Sequence, residues 1–461
     1  MRSAETDRPA ERFPHTLARV SFTVEPQIAD ALRSAADRVR SELGEEAGSF
    51  VEAALLRTLT DTITLAEDGT AFVITGDIPA MWLRDSTTQM FPYLRLAADC
   101  EPLADLLAAV VRRQLRMIAH DPYANSANLG PTGAHHDAND LCQDPMIWEQ
   151  KYEVDSLAFP IIFGHRLLRI TGRGDLFDGL AHGVLRTIVD QWRLETEHEE
   201  RSQYRFVRDI GIPTETLDRD GLGSPLGVTG MTWSGFRPSD DACTFGYNVP
   251  ANLQAAQALM AIADVALSVY GDEALAADAD ALRTSILEGV AAHGVVEHEG
   301  SRIYAYEVDG LGGQLLMDDA NMPSLLSLPL DAPDVLDPEL ADATRAFCLG
   351  MANPYRYSGT VATGIGSPHT PEQYVWPIAF AVEGLTGTPE RGREIIRLLL
   401  ATDGGTDRMH ESFHVDDPER FTRPWFSWAD AMFCELALHL TDGPAPARSF
   451  AERVEVSGQE R

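Results

Sequence analysis

The chain has 461 residues, 37 of them basic and 71 acidic, for a formal charge of -34 at pH 7. A surface so anionic repels nucleic-acid backbones and anionic membranes, so neither is expected as a partner, while a hydrophobic share of 44% suffices for a large core. The length is about three times that of a typical domain, yet helical and barrel enzymes of this size are often single units.

The opening stretch, MRSAETDRPAERFPHTLARV, lacks the apolar centre of a secretory leader. No run reaches the roughly 18 apolar residues that cross a bilayer, so a cytoplasmic location is expected. Cys100, Cys142, Cys243, Cys348 and Cys434 are odd in number and form no CxxC pair, and they read as reduced core thiols. Residues 1–20 and 443–461 read as loose ends around a single domain over 21–442.

In chain order, QIADALRSAADRVRSEL (27–43), PLADLLAAVVRRQLRMIAH (102–120), PANLQAAQALMAIADVALSVYG (250–271) and DALRTSILEGVAAHG (280–294) repeat apolar residues at three- and four-residue intervals. That period predicts helices with one buried face. Strand-like patterns are few: SQYRFVRD (202–209), and VVEHEGSRIYAYEVD (295–309) with EGS as its hairpin turn.

Six denser stretches without a clean helical period lie between these elements: 75–86, 142–156, 229–250, 315–324, 366–377 and 409–430. They hold Trp82, Trp148, Trp233, Trp376, Trp425 and Trp428, leaving only Trp192 outside. Six irregular loops joined by helix pairs are what a toroid of helical hairpins produces, with the loops converging at one end. The alternative is a helical array whose loops carry aromatic packing residues. Rings mixed with carboxylates, guanidinium groups and amides suit a neutral sugar, which offers C–H faces to stack and hydroxyls that both donate and accept.

TGDIPAMWLRDS, WEQKYEVDS, WSGFRPSDDA and MHESFHVDDPERFTRPWFSWA resemble, in the same order over about residues 70–440, the signature blocks of glycoside hydrolase family 125. These are metal-independent exo-acting α-1,6-mannosidases with an (α/α)6 barrel. One departure is Gln150, where the family's second block has Arg before its Lys. The resemblance implies an all-α (α/α)6 fold with a few short β hairpins in the loops, a mannose-containing oligosaccharide as substrate, and no cofactor or metal. It also implies inversion, in which a carboxylic acid protonates the leaving oxygen and a carboxylate roughly 6.5–9.5 Å away activates water. The family's acid matches Asp240 or Asp241 in RPSDDA and its base matches Glu411 in MHESF.

Local chemistry leaves the choice of acid open. Ser239 reads as an N-cap, placing both aspartates in the first turn of a following helix, where carboxylates commonly complement the dipole. Arg84 and Asp85 are expected to bracket sugar hydroxyls, and Trp82 and His410 to line the same site. Arg237 is a substrate contact or a support for the aspartate loop, and Trp233 and Trp425 are stacking platforms or core. Lys151 is the only lysine among 37 basic residues. Its compact ammonium can donate three hydrogen bonds, so it is expected in the pocket, sharing a helical face with Asp155 at i, i+4.

HHDAND (135–140) and HESFHVDD (410–417) hold metal-ligand residue types but neither the HExxH spacing of a zinc helix nor a calcium-loop register, so no metal is expected. The rivals are another exo-glycosidase such as an α-glucosidase, a sugar epimerase or isomerase using His369 and His410 as proton carriers, and a non-catalytic glycan-binding protein. Oligomeric state leaves no mark in the sequence.

Overall fold

The computed structural model describes residues 20–450. The expected helices form at Pro26–Leu43, Glu101–His120, Val249–Val265 and Glu273–Gly289, the last two continued by wider turns over Ala266–Tyr270 and Val290–Gly294. Glu101–His120 shows why: Pro102 stands in its first turn, where a missing N–H costs nothing, and Leu103, Leu107, Val110, Val111 and Ile118 recur on its buried face. Val249–Tyr270, contrary to expectation, is long and apolar enough to cross a membrane, with a mean hydropathy of 1.4. It packs instead against Val154–Thr171 and Glu273–Gly289 as a core helix.

Five helical segments are buried on most sides, Leu83–Thr88 with Phe91–Ala97, Val154–Thr171, Val249–Val265, Pro377–Leu385 and Ser427–Asp442, and a sixth, the single turn Leu328–Asp331, is half-buried. Val154–Thr171 packs between Leu83–Thr88 and Val249–Val265, and Val249–Val265 also meets Leu328–Asp331. Ser427–Asp442 packs against Pro377–Leu385 and back onto Glu45–Thr62 and Phe91–Ala97, so the last helix meets the first ones. Five of the dense stretches run into the N-terminus of one of these segments, and 315–324 ends shortly before Leu328. Their loops are stitched by short antiparallel sheets: Met81–Trp82 with Ser126–Ala127 and Ile147–Glu149, Tyr247–Asn248 with Glu307–Val308 and Gln314–Leu315, and Tyr374–Val375 with Ser412–His414 and Asp417–Thr422.

The hairpin expected at EGS pairs Val295–His298 with Ser301–Tyr304, with Glu299 and Gly300 at φ 50° and 83° in its turn. SQYRFVRD forms no strand. Its Phe206 N–H donates to Gly221 and its Tyr204 hydroxyl to Gln150, so isolated bonds replace a ladder. Residues 443–450, expected to be loose, are docked: Ala445 and Ala447 are buried, Asp334 accepts from Ser449 and the Phe450 amide, and the Phe450 ring stacks on His165. Residues 1–19 and 451–461 lie outside the described residues. The cysteines are all free, with Cys142 and Cys243 half-buried rather than in the core.

Candidate active site

A cavity of about 170 Å³ opens where the six loops meet. Its wall includes Trp82, Arg84, Asp85, Lys151, Asp240, His369, Trp376, Glu411, Arg423 and Trp428, drawn from five of the dense stretches, and the remaining one, 315–324, supplies Asn321.

Arg84, at the start of the Leu83–Thr88 helix, is the electrostatic centre. Its guanidinium donates to Glu153 (2.6 Å), Asp155 (3.2 Å) and Asp240 (3.2 Å), with Asp85 3.6 Å away, and it lies 5.8 Å from the Trp428 ring centre. One buried cation thus faces four carboxyl groups, and the site cannot hold all four ionised without large desolvation cost. Burial lifts Asp85 and Asp155 to about 6 against the pull of Arg84. Burial also lifts Glu153 well above the ordinary range, Arg84 opposing, with Asp240 and Asp155 adding to the rise. Asp240 goes the other way: burial resists ionisation, but Arg84, a hydrogen bond with Glu153 and nearby Lys151 hold it well below the usual range.

The aspartate pair sits in a tight turn, not in the helix that Ser239 was expected to cap; the next helix begins at Val249. Asp240 N–H donates to Arg237 O (2.9 Å) and Arg237 N–H to Asp241 O (2.8 Å), which forces Asp240 to φ 66°. A non-glycine residue in that region is strained by about 1–3 kcal/mol, so something must hold it. Lys151 does. Its ammonium donates to the Asp240 carbonyl (2.7 Å) and to Glu215 (2.8 Å) and lies 3.7 Å from Glu149. The expected Lys151–Asp155 pairing does not occur, because the helix starts only at Val154 and Asp155 turns to Arg84.

Asp240 alone of the two aspartates lines the cavity. Asp241 is buried behind it, 3.3 Å from His369 Nδ1. His369 is 29% exposed and its ring rises to about 9: burial disfavours the cation, but Asp241, Glu411 and Asp240 favour it more strongly. Glu411 faces the cavity from the start of the Ser412–His414 strand, 3.6 Å from Arg423 Nη1. Arg423 also donates to Thr75 (3.0 Å) and Asp77 (3.0 Å), tying the last loop to the first. The two loops touch at Gly76, whose φ is 136° and where a Cβ would lie 2.6 Å from the Trp425 carbonyl oxygen, so no larger residue fits.

Four expected substrate contacts lie elsewhere. Trp233 is buried in the core, its ring stacked 3.5 Å from His198 and 5.9 Å from Tyr152. Arg237 is paired with Glu307 behind the turn, so of its two readings support of the aspartate loop is the one the contacts give. His410 stacks on Phe421 at 3.6 Å and hydrogen-bonds the Asp403 carbonyl (3.0 Å), holding the loop that carries Glu411. Trp425 is half-buried beneath the Arg408 guanidinium, outside the cavity wall. Aromatic residues at these points gave no sequence signal separating packing from platform. Of the two histidines offered as proton carriers, His410 is therefore out of reach and only His369 remains.

Sequence reasoning missed Glu215 and Arg423, and it left Glu149 and His136 without a role in the site. Ligand-type atoms of His136, Glu149 and Glu215 lie within 4.8 Å of one another. The two carboxylates already receive Lys151 and Arg208, with Arg208 donating to Glu215 (2.7 Å) and Glu149 (2.8 Å). Burial opposes ionisation of Glu149, yet Lys151, His136 and Arg208 hold it below its ordinary value. Protein cations thus stand where a metal would bind. Gln150 turns away from the cavity to Asp121.

Residues 45–438 match the model of the metal-independent alpha-mannosidases, GH125. A metal-independent α-mannosidase of Streptococcus pneumoniae, solved as a non-productive substrate complex with α-1,6-mannobiose, is 41% identical; the match covers 91% of this chain and 99% of that one with a TM-score of 0.87. The meiotically up-regulated gene 157 protein of Schizosaccharomyces pombe is 36% identical over 391 residues, 80% of this chain and 76% of its own. A bacterial glucoamylase solved with acarbose shares the fold at 12% identity and a TM-score of 0.56, covering 88% of this chain and 57% of its own. With a matching model over most of its length and these two relatives, the chain belongs to glycoside hydrolase family 125, the metal-independent α-mannosidases.

Proposed function

We propose that this enzyme is an exo-acting, inverting α-mannosidase that removes non-reducing terminal α-1,6-linked mannose, with Asp240 as general acid and Glu411 as general base, on a closed (α/α)6 toroid. The observation that carries the reading is that Asp240 and Glu411, from the third and sixth loops, line one cavity. Two carboxyls on separate loops suit a water placed on the face of the sugar opposite the leaving group. A space of about 170 Å³ is small beside the roughly 300–1,000 Å³ of drug-sized ligand pockets, which favours one terminal sugar unit over an internal stretch of glycan. The α-1,6-mannobiose bound by the pneumococcal relative supports the linkage.

Trp82, Trp376, Phe426 and Trp428 offer faces to C–H groups, while Arg84, Asp85, Asn321 and His369 offer the donors and acceptors that hydroxyls need. Arg423 stands 3.6 Å from Glu411 and ties its loop to the first one through Thr75 and Asp77. As the glycosidic bond breaks, Asp240 protonates the departing oxygen and Glu411 takes the proton of the attacking water.

Proton NMR of the anomeric signals during digestion of α-1,6-mannobiose, in chelator and beside the α-1,2 and α-1,3 isomers and an α-glucoside, tests this. The expected result is β-mannose first, from the 1,6 substrate alone, and its loss by about 100-fold or more in Glu411→Gln. α-Mannose first would exclude inversion, and equal release from the α-glucoside would exclude the assigned glycone.

A further inference from the structure

Asp240 must be protonated to serve as the acid, yet its surroundings favour its anion. Arg84, Lys151 and His369 all act on it, and among its buried acidic neighbours Glu153 shares both Arg84 and Asn125 with it. The Glu153 side chain is 0% exposed and the Asp240 side chain 26%, so Asp240 reaches the cavity and Glu153 stands directly behind. Both carboxyls are gripped by the same two groups. Arg84 donates through Nη1 to Glu153 and through Nη2 to Asp240, and the Asn125 amide lies 3.2 Å from Glu153 and 3.3 Å from Asp240. Ser156 Oγ donates to Glu153 at 2.8 Å. Glu153 Oε1 and Asp240 Oδ1 thus sit on one amide nitrogen and their carboxyls on one guanidinium, and two carboxyls so placed resist ionising together.

We propose that Glu153 is the proton reservoir of the general acid, passing its proton to Asp240 as Asp240 protonates the glycosidic oxygen. This rests on the reading of Asp240 as acid. In the resting site Glu153 is the neutral carboxylic acid and Asp240 the carboxylate. During cleavage the Glu153 O–H proton moves to Asp240, a proton moves from Asp240 to the leaving oxygen, and the C–O bond electrons stay with that oxygen, which departs as an alcohol. Water adds to the anomeric carbon and gives its proton to Glu411. Glu153 ends as a carboxylate beside Arg84 and is reprotonated from solvent through Asp240 when the cavity opens, while Glu411 returns its proton to water.

The groups facing this pair are Arg84, Asp85, Glu149, Lys151, Asp155 and His369. Burial raises Glu153, and the coupling to Asp240 raises it further while lowering its partner, in agreement with that placement of the proton.

The test compares full-length wild type, Glu153→Gln, Glu153→Asp and Asp240→Asn on α-1,6-mannobiose and on 2,4-dinitrophenyl α-mannoside, whose leaving group departs without protonation. Glu153→Gln keeps shape and hydrogen bonding but holds no transferable proton. It should lose about 100-fold or more in kcat on mannobiose with KM little changed, and no more than about five-fold on the aryl mannoside. The alkaline limb of its mannobiose profile should move to lower pH, since Asp240 alone holds a proton less well. Glu153→Asp, which retains a carboxyl, should recover at least about ten-fold. Equal losses on both substrates with an unshifted profile would make Glu153 a structural support and overturn the proposal. If Glu153→Gln fails to fold, Glu153→Asp decides: a selective loss on mannobiose supports the relay, and a uniform loss refutes it. Asp240→Asn without the leaving-group split would remove the reading of Asp240 as acid, and the reservoir with it.

Discussion

Replacing Lys151 by Arg keeps the charge and changes only its shape. The ammonium reaches the Asp240 carbonyl at 2.7 Å and Glu215 at 2.8 Å, lies 3.7 Å from Glu149 and sits 5.2 Å from the Phe236 ring centre. A guanidinium directs its donors in one plane and is bulkier, while Arg208 already occupies the carboxylates of Glu215 and Glu149 from another side. The substitution should therefore lose the charge-assisted bond to the carbonyl, about 1.5–3 kcal/mol, which restrains Asp240 at φ 66°. At about 1.4 kcal/mol per decade, kcat on α-1,6-mannobiose should fall about 10- to 100-fold while KM changes little if Asp240 is the acid proposed above, because Asp240 is displaced and the sugar contacts are not. Lys151→Met should also cost stability, about 3 kcal/mol, the low end for breaking a buried pair because Arg208 remains with both carboxylates. Steady-state kinetics and urea unfolding measure both. A Lys151→Arg enzyme with kcat within two-fold of wild type would refute the idea that this ammonium positions the acid.

Trp233→Ala should cost about 3–5 kcal/mol in urea unfolding, since it deletes the ring between His198 and Tyr152, and should leave KM unchanged in the remaining folded enzyme; a large rise in KM without loss of stability would return it to the sugar site. His369 titrates near 9 in the folded protein against 6.5 ordinarily. Its folded value is the higher one, so its contribution, on the order of 3 kcal/mol, is complete below about pH 6.5 and fades as pH rises towards 9. His369→Asn should therefore destabilise at pH 6 and have little effect at pH 10, and an equal cost at both would contradict the charge assignment.

The long helices were legible because their apolar period is a property of each segment alone. Six loops rich in Trp, Asp and Arg pointed to the cavity for the same local reason, and WLRDS, RPSDDA and MHESF carried the resemblance to the family. What the sequence concealed was direction. Trp233 and Trp428 look alike in sequence, yet one packs on His198 and the other floors the cavity. Asp240 and Asp241 are adjacent and chemically identical, and only a left-handed turn sends one to the cavity and the other behind it. Glu215 lies in a stretch with no motif, recruited by Lys151 and Arg208 across 64 and 7 residues of chain. Arg423 lies within MHESFHVDDPERFTRPWFSWA, but its reach to Asp77, 346 residues away, is a tertiary fact.

That reach also orders events at the ribosome. Glu411 and Arg423 belong to the last stretch to be made, and the final buried helix, Ser427–Asp442, closes against elements synthesised hundreds of residues earlier. Domains fold from the N-terminal end as they emerge, but this one lacks Glu411 and one wall of its cavity until its sixth loop has been made. The apolar faces of Glu45–Thr62 and Phe91–Ala97 that Ser427–Asp442 covers must wait for it over more than 300 residues of synthesis. Catalytic competence and protection from aggregation therefore arrive together, with the same helix.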